Sequence, residues 1–184
     1  RKNKKKRYKN ELRILPPPPT NKHEIWAMDF IHDALSNGRK IKGLTIVDLF
    51  SKESPAIEMN YSISGLSVIA VLEDLKCLGK IPKTIKVDNG PEFICLALDK
   101  WASHNNVKLF FSRRGKPTDN ANIESFNGKF RDEFLNMHWF YSLSQARTLC
   151  EEWRIDYNEE RPHSSLNYLT PKEFMNSLDF KKAS

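Results

Sequence analysis

The sequence "GKPTDNANIESFNGKFRDEF", residues 115–134, has the apolar spacing of an amphipathic helix that packs against a core. Four apolar residues at helical spacing would form one narrow stripe, so they are predicted to be buried. They are Ile123, Phe126, Phe130 and Phe134. Glu124 lies beside this stripe, in line with Asn120 and Asn127 rather than on the solvated side. Packing alone gives no reason for a carboxylate at the edge of a core.

Upstream and downstream of this helix, β-rich segments and helical segments follow one another. Five segments rich in β-forming residues are predicted to be strands, and they are residues 24–31, 40–50, 54–61, 84–90 and 107–112. Three further segments have helical periodicity, and they are residues 62–79, 91–106 and 142–160. We expect Gly79 to close the first of these helices and Pro91 to begin the second. Residues 161–174 are predicted to form a C-terminal extension. This order predicts an α/β fold with a mixed sheet flanked by helices.

The positive charge of the chain is concentrated at its start. The formal net charge is +7. Residues 1–13 hold eight Lys or Arg and one acid, so eight less one accounts for all of it. A run of four prolines, residues 16–19, follows and is predicted to form a stiff, extended spacer. We therefore interpret residues 1–22 as a basic and proline-rich linker to a missing N-terminal part, because the chain begins without a Met.

The cysteines and the hydropathy pattern favour an intracellular protein. Cys77, Cys95 and Cys150 are far apart and odd in number, and neither C-x-x-C pairs nor a zinc pattern is present. They are predicted to be buried apolar residues in a reducing cytoplasm. The sequence contains no apolar run approaching the roughly 18 residues of a membrane span, so we expect no membrane partner.

Three carboxylates are candidates for catalysis. Asp29 is the only charge in the apolar segment "IWAMDFI", Asp88 ends the strand segment "TIKV" before the turn "NGPEF", and Glu124 follows a basic loop. Each alone has an ordinary alternative: Asp29 could cap a neighbouring element, Asp88 could form a turn, and Glu124 could pair with a Lys or Arg. Together they would repel one another unless a cation neutralised them. Oxygen-only ligands select Mg²⁺ or Mn²⁺, and two such ions can clamp an in-line phosphoryl displacement.

These residues and their surroundings resemble the DDE triad of bacterial insertion-sequence transposases, whose catalytic core is similar to retroviral integrase. The matching motifs are "WAMDF", "VDNGPEF" and the stretch at residues 115–134, with 35 residues between Asp88 and Glu124. The segment "YNEERPHSSLNYLTPKEF" is similar to the C-terminal signature of that family. The resemblance covers residues 23–175. Leu49 stands where an acid is common, and Arg114 replaces a frequent proline, but neither departure touches the triad.

The resemblance implies a ribonuclease-H-like fold, a five-stranded mixed sheet flanked by helices with the triad at one edge. Residues 23–175 would be the catalytic core and residues 176–184 a C-terminal tail. Two Mg²⁺ ions, for which Mn²⁺ would substitute, would be held by the triad. They would support cleavage at each element end and attack of the freed 3′-OH on a target phosphodiester. The implied partners are double-stranded DNA, as element ends and as target, and further copies of the chain in a homo-oligomer.

Basic and amide side chains around Glu124 are candidates for DNA contact, although a solvated helix edge would have a similar composition. They are Arg113, Arg114, Lys116, Asn120, Asn127, Lys129 and Arg131. Gly128 would let a DNA backbone approach closely, or would serve helix packing. Arg161 and His163 could cap the preceding helix or contact DNA, and capping is the favoured interpretation.

Two alternative functions remain compatible with the residues. The first is a nuclease with the same fold, such as a hybrid ribonuclease or junction resolvase, against which the C-terminal signature argues. The second is a DNA-binding or assembly module that has lost activity, against which the intact triad argues.

Overall fold

A computed structural model describes residues 16–113 and 116–183 of the chain. Its strands are β1 (Ile25–Ala34), β2 (Lys40–Asp48), β3 (Ala56–Asn60), β4 (Thr84–Val87) and β5 (Lys108–Phe111). Its helices are α1 (Gly65–Cys77), α2 (Leu96–His104), α3 (Ala121–Glu133), α4 (Leu143–Glu159) and α5 (Pro171–Ala183). The strands form one sheet in the order β3-β2-β1-β4-β5. The first three strands form an antiparallel meander, and β4 and β5 run parallel to β1. The predicted five-stranded mixed sheet flanked by helices is therefore confirmed.

The central strand β1 is buried on both faces, which explains its nearly continuous apolar sequence. Alternate side chains point to opposite faces of a strand. Ile25 and Ala27 pack into a core with α3 and α4, whereas Trp26 and Met28 pack into a second core with α1 and α2. The sheet thus separates two hydrophobic cores, and Asp29 follows directly on this apolar run.

The predicted stripe on α3 is confirmed as core. Ile123, Phe126 and Phe130 are almost fully buried in α3, and Phe134 is buried directly after its end. The Phe130 and Phe134 rings stack with centroids 5.0 Å apart. This packing sets the rotation of α3 about its axis, and so sets which residues can face the sheet edge.

The predicted start of α2 is wrong. Residues 91–94 form a turn, closed by the Phe93 and Ile94 N–H groups donating to the Gly90 carbonyl, and α2 begins only at Leu96. The Phe93 ring is buried and stacks on Phe30 at 4.7 Å, which holds this turn against the sheet. The predicted C-terminal extension, residues 161–174, ends inside a helix, because α5 begins at Pro171.

The proposed division of the chain remains a prediction at both ends. Residues 1–13, which carry the net charge, lie outside the described residues. Residues 16–19 have no regular secondary structure, as expected of prolines that lack a backbone donor. The predicted core boundary after residue 175 lies inside α5, so this boundary does not separate two structural elements.

The cysteine prediction is correct at one position and wrong at another. Cys150 is buried and Cys95 partly buried, but Cys77 is exposed at the end of α1. It lies outside the apolar stripe of α1, which Val68, Leu72 and Leu75 supply. Among the described residues, no helix combines the length and the apolar character needed to cross a membrane.

Candidate active site

Asp29 and Asp88 lie at equivalent positions on neighbouring parallel strands. β1 pairs with β4 up to Ala27 opposite Lys86, and each aspartate lies two residues further along its strand. β4 ends at Val87, directly before Asp88, whereas β1 continues to Ala34. The sheet therefore opens at Asp88, and the Asp29 side chain is not covered by a further stretch of β4. Such strand ends are where sites form in open α/β sheets.

The Asp29 carboxylate is half-buried and held by two donors. The Phe30 N–H donates to Oδ1 at 2.7 Å, and the Asn127 side-chain amide donates to Oδ2 at 2.9 Å. Burial raises the pKa of Asp29, and the negative charges of Asp88 and Glu124 raise it further, against the effect of these two hydrogen bonds. The other two carboxylates are therefore near enough to act electrostatically on Asp29.

A tight turn positions Asp88. Its Oδ1 accepts a hydrogen bond from the Gly90 N–H at 2.9 Å. A Cβ atom on Gly90 would lie only 2.9 Å from that same oxygen, so a larger residue here would displace the Asp88 carboxylate. The Asn89 amide donates to the Ser112 carbonyl at 2.8 Å and ties the turn to the end of β5. The three residues of the motif "DNG" together hold the Asp88 carboxylate in place at the end of β4.

Glu124 lies in the first turn of α3 and is exposed, which corrects its predicted place at the edge of the core. Its carboxylate makes no hydrogen bond or ion pair with the residues that the structure describes. Within the same residues, no three Asp, Glu, His or Cys side chains are grouped closely enough for a ready-made metal site. Glu124 therefore acts electrostatically on Asp29 while its own carboxylate has no partner among the described residues.

Two of the predicted DNA-contact residues make contacts within the protein. The Arg113 guanidinium makes a bidentate ion pair with Asp119, at 2.9 and 2.8 Å. The Asn120 side-chain oxygen accepts a hydrogen bond from the Ser112 hydroxyl. Both contacts join the end of β5 to the start of α3, and they anchor the loop between these elements. Lys116 in this loop is exposed, and Arg114 lies outside the described residues.

The remaining predicted DNA contacts lie on α3 and differ in their surroundings. Asn127 donates to Asp29 and accepts from the Thr45 hydroxyl at 2.8 Å, so it connects α3 to β1 and β2. The exposed Arg131 donates to the His32 carbonyl at 3.0 Å. Lys129 is exposed and lies on the other flank of the helix.

Gly128 is not required for packing. It is exposed, and a Cβ atom placed on it would meet nothing within 4 Å. The helix-packing explanation is therefore wrong, and the open space beside Gly128 is compatible with close approach of a large ligand.

Arg161 and His163 do not cap α4 as predicted. Arg161 pairs with Asp156 at 2.7 Å and with Glu133, and so joins α4 to the end of α3. His163 is buried against Tyr157, with ring centroids 4.9 Å apart. No backbone carbonyl of α4 accepts a hydrogen bond from either side chain among the described residues.

The sequence-based interpretation overlooked Asp48, the last residue of β2. Its buried carboxylate accepts hydrogen bonds from four donors, and they are the backbone N–H groups of His23, Phe50 and Ser51 and the Trp26 indole. Asp48 follows an apolar strand much as Asp88 does, so the pattern alone could not distinguish the two. The difference is that Asp48 has all its lone pairs occupied, which excludes it as a metal ligand.

Comparisons with known proteins assign the family. Two family models described as Integrase core domain match residues 19–117 and residues 105–171. The chain is 53% identical over 164 residues to a 31.7 kDa protein of insertion element IS407 from Burkholderia multivorans, covering 89% of this chain and 58% of that protein. It is 47% identical over 152 residues to a 39.2 kDa protein of IS476 from Xanthomonas euvesicatoria, covering 83% and 44%. The chain thus spans about half the length of these curated relatives.

Similar folds occur among solved structures. The HTLV-2 integrase catalytic core domain in complex with magnesium, in its trimeric form, superposes with a TM-score of 0.65 at 18% identity. The alignment covers 83% of this chain and 95% of that one. At this level of identity the likeness shows the fold alone, and it confirms the predicted ribonuclease-H-like fold.

Proposed function

Since this chain belongs to the integrase core domain family, together with proteins of bacterial insertion elements, we propose that it is the catalytic core of a DDE transposase. It cuts DNA at the ends of a mobile element and joins the freed 3′-OH to target DNA. One observation carries this proposal at the level of the site. Two aspartates lie side by side where the sheet opens, and the charges of Asp88 and Glu124 both act on Asp29.

The donor set fits a hard divalent cation. Asp29, Asp88 and Glu124 offer only carboxylate oxygens, which suit Mg²⁺ and also Mn²⁺. Their mutual repulsion is the kind of electrostatic strain that a bound cation relieves. The exposed Glu124 side chain has no competing partner among the described residues, so it can turn toward the aspartates. When bound, two such ions would activate the attacking oxygen and stabilise charge on the leaving oxygen.

The residues around the carboxylates have distinct tasks in this proposal. Asn127 fixes the orientation of the Asp29 carboxylate, and the Gly90 N–H fixes that of Asp88. Lys116 and Arg131 are exposed and would contact phosphates of double-stranded DNA near Glu124. The open space beside Gly128 would let the backbone of the DNA approach α3. Joining two element ends to one target requires at least two active sites, so we also propose a homo-oligomer on DNA.

A joining assay separates this function from its alternatives. The protein is incubated with Mg²⁺, an oligonucleotide pair with a 3′-OH at the element end, and supercoiled plasmid. The proposal expects covalent joining of the oligonucleotide to the plasmid, which EDTA abolishes. Cutting without joining would favour a nuclease of the same fold. The absence of both reactions, with DNA binding retained, would favour a binding or assembly module.

A further inference from the structure

A cavity of about 270 Å³ lies on the flank of α3 that faces away from Glu124. One helical turn takes 3.6 residues, so Asn122, Ser125 and Lys129 form a stripe roughly opposite the stripe of Glu124, Asn127 and Arg131. The cavity lies between this stripe, the end of β2 and the segment that follows α4. Its polar lining residues are Lys52, Asn122, Ser125, Lys129, His163 and Ser165.

His163 lines this cavity as a buried side chain. The residue is 7% exposed, and its Nε2 is buried with no hydrogen-bond partner among the described residues. A buried polar atom without a partner is costly, which makes an absent ligand a natural explanation. Burial lowers the pKa of His163 to about 4, and the positive charges of Lys129, Lys52 and Arg161 contribute. The ring is therefore neutral at pH 7 and can carry its one proton on Nε2.

The charged side chains that line the cavity are of one sign. Lys52 is half-buried, and its Nζ donates to the Leu49 carbonyl at 2.8 Å, which leaves two of its N–H groups for other acceptors. Lys129 is exposed at the other side and makes no ion pair with the described residues. Among the described residues that line the cavity there is no Asp or Glu. Two cations, a buried imidazole and the Ser125 hydroxyl therefore surround one space, which suits an anion.

We propose that this cavity binds a phosphate group through Lys52, Lys129, His163 and Ser125. The ligand group is a tetrahedral phosphate oxyanion, whether it belongs to DNA or to a free anion. The assignment of that phosphate to the backbone of bound DNA rests on the function proposed above. The bound strand would then lie across α3, with the reacting phosphate beside the carboxylates on one flank and another phosphate in this cavity on the other.

A neighbouring cavity supports a polymeric anion over a free one. It measures about 540 Å³, shares Leu49, Lys52, Asn122 and Ser165 with the first, and continues to Lys86 and Pro16–Pro19. Lysines thus follow one another along a continuous groove, at positions 129, 52 and 86. An extended row of cations suits a phosphate backbone better than a single small ion.

The first test measures the binding of inorganic phosphate through the NMR signals of the five histidine rings. The variant His163→Asn assigns the signal of His163. The proposal expects the His163 signal to shift saturably with phosphate. Lys129→Gln should weaken that binding about tenfold, because a charge-assisted hydrogen bond is lost. Ser125→Asp should abolish it by placing a carboxylate in the cavity. Lys100→Gln is the matched control, because Lys100 is an exposed lysine of α2 on the other face of the sheet. A His163 signal that does not respond to phosphate, or an equal loss in Lys100→Gln, would overturn the site.

The second test distinguishes a DNA phosphate from a free one. With duplex DNA, Lys129→Gln should reduce the slope of log K against log salt by about 0.9, the value for one neutralised phosphate. Lys100→Gln should leave the slope unchanged. Phosphate binding without this change in slope would contradict the DNA assignment and leave a site for a free anion. Failure of the joining assay, with both results positive, would contradict the catalytic proposal and not this one.

Discussion

Asp29 illustrates how single side chains are arranged at the site. Its two donors come from its own strand and from α3, so the helix and the sheet must dock correctly before the carboxylate is oriented. Asn127 was predicted to contact DNA because it lies one turn from Glu124. The sequence could identify the amide but not its partner, since Thr45 and Asp29 are 82 and 98 residues away.

The raised pKa of Asp29 predicts how the metal-free protein responds to pH. The pKa of Asp29 in the folded protein lies above its ordinary value of 3.8. Below pH 3.8 the carboxyl is protonated in both the folded and the unfolded state and does not lower the free energy of unfolding. As the pH rises above 3.8, ionisation of Asp29 favours the unfolded state and lowers the free energy of unfolding. This loss of stability reaches its full size above the pKa of Asp29 in the folded protein. Asp29→Asn removes this cost. In EDTA, urea unfolding should show the variant gaining stability relative to wild type between pH 4 and pH 7.

The same urea unfolding measurement with added Mn²⁺ tests whether Asp29 binds the metal. Mn²⁺ should stabilise the wild-type protein and leave Asp29→Asn unchanged, since binding to the folded state alone stabilises it. Glu152→Gln, which removes an exposed carboxylate of α4, is the control and should behave like wild type. Equal stabilisation of all three proteins by Mn²⁺ would place the metal elsewhere.

Arg113 and Lys116 carry positive charges in the same loop, and we expect the first to stabilise the fold and the second to bind DNA. Arg113 holds the buried Asp119, so Arg113→Gln leaves a buried carboxylate without its cation and should lower the urea midpoint clearly. Lys116→Gln should leave the midpoint unchanged and weaken DNA binding, because Lys116 is exposed. If Arg113→Gln bound DNA poorly at full stability, the structural role given to Arg113 would be wrong.

At the scale of the element, α3 shows which features sequence patterns can specify. The spacing of its apolar residues predicted the buried face correctly, because a helix has a fixed period. That face also fixes the directions of Glu124 and of the opposite stripe. The start of α2 was mispredicted because Pro91 is equally suited to a turn, and only the stacking of Phe93 on Phe30 decides between them.

Gly128 gives a prediction that belongs to α3 as a whole. Glycine is about 1 kcal/mol less favourable than alanine within a helix, and a Cβ atom here would meet nothing within 4 Å. Gly128→Ala should therefore stabilise the free protein by about that amount, measured by urea unfolding. If DNA approaches α3 here, the same variant should bind duplex DNA less tightly. Increased stability with unchanged DNA affinity would show that nothing approaches this turn.

The whole molecule combines a sheet between two cores with a basic leader, residues 1–13. The number of strands and their order along the chain followed from composition and periodicity. The long-range contacts could not be predicted in this way. The ion pairs of Arg113 and Arg161 and the hydrogen bonds to Asp48 depend on how separate elements pack together. The three carboxylates were predicted as one group from motifs that are far apart in the chain, and strand register and the rotation of α3 bring them near one another.

Deleting residues 1–13 tests how the leader contributes to the whole. These residues lie outside the described residues, yet they hold eight basic groups. If about half of those groups contact phosphates, removal should flatten the slope of log K against log salt by about 3 to 4. Binding to all DNA sequences should weaken alike, while joining at saturating DNA should persist. An unchanged salt slope would mean that residues 14–184 hold the DNA alone and that the leader is only a tether.

The most direct test of the central claim is single-turnover joining of a 3′-OH oligonucleotide to plasmid DNA by carboxylate variants at saturating DNA and Mg²⁺. Asp29→Asn, Asp88→Asn and Glu124→Gln should each reduce joining to background while folding and DNA affinity stay near wild type. Glu152→Gln should join DNA at the wild-type rate, because its carboxylate is exposed on α4 and belongs to no proposed site. Near-normal joining by any one of the three variants would remove that residue from the active site and contradict the account.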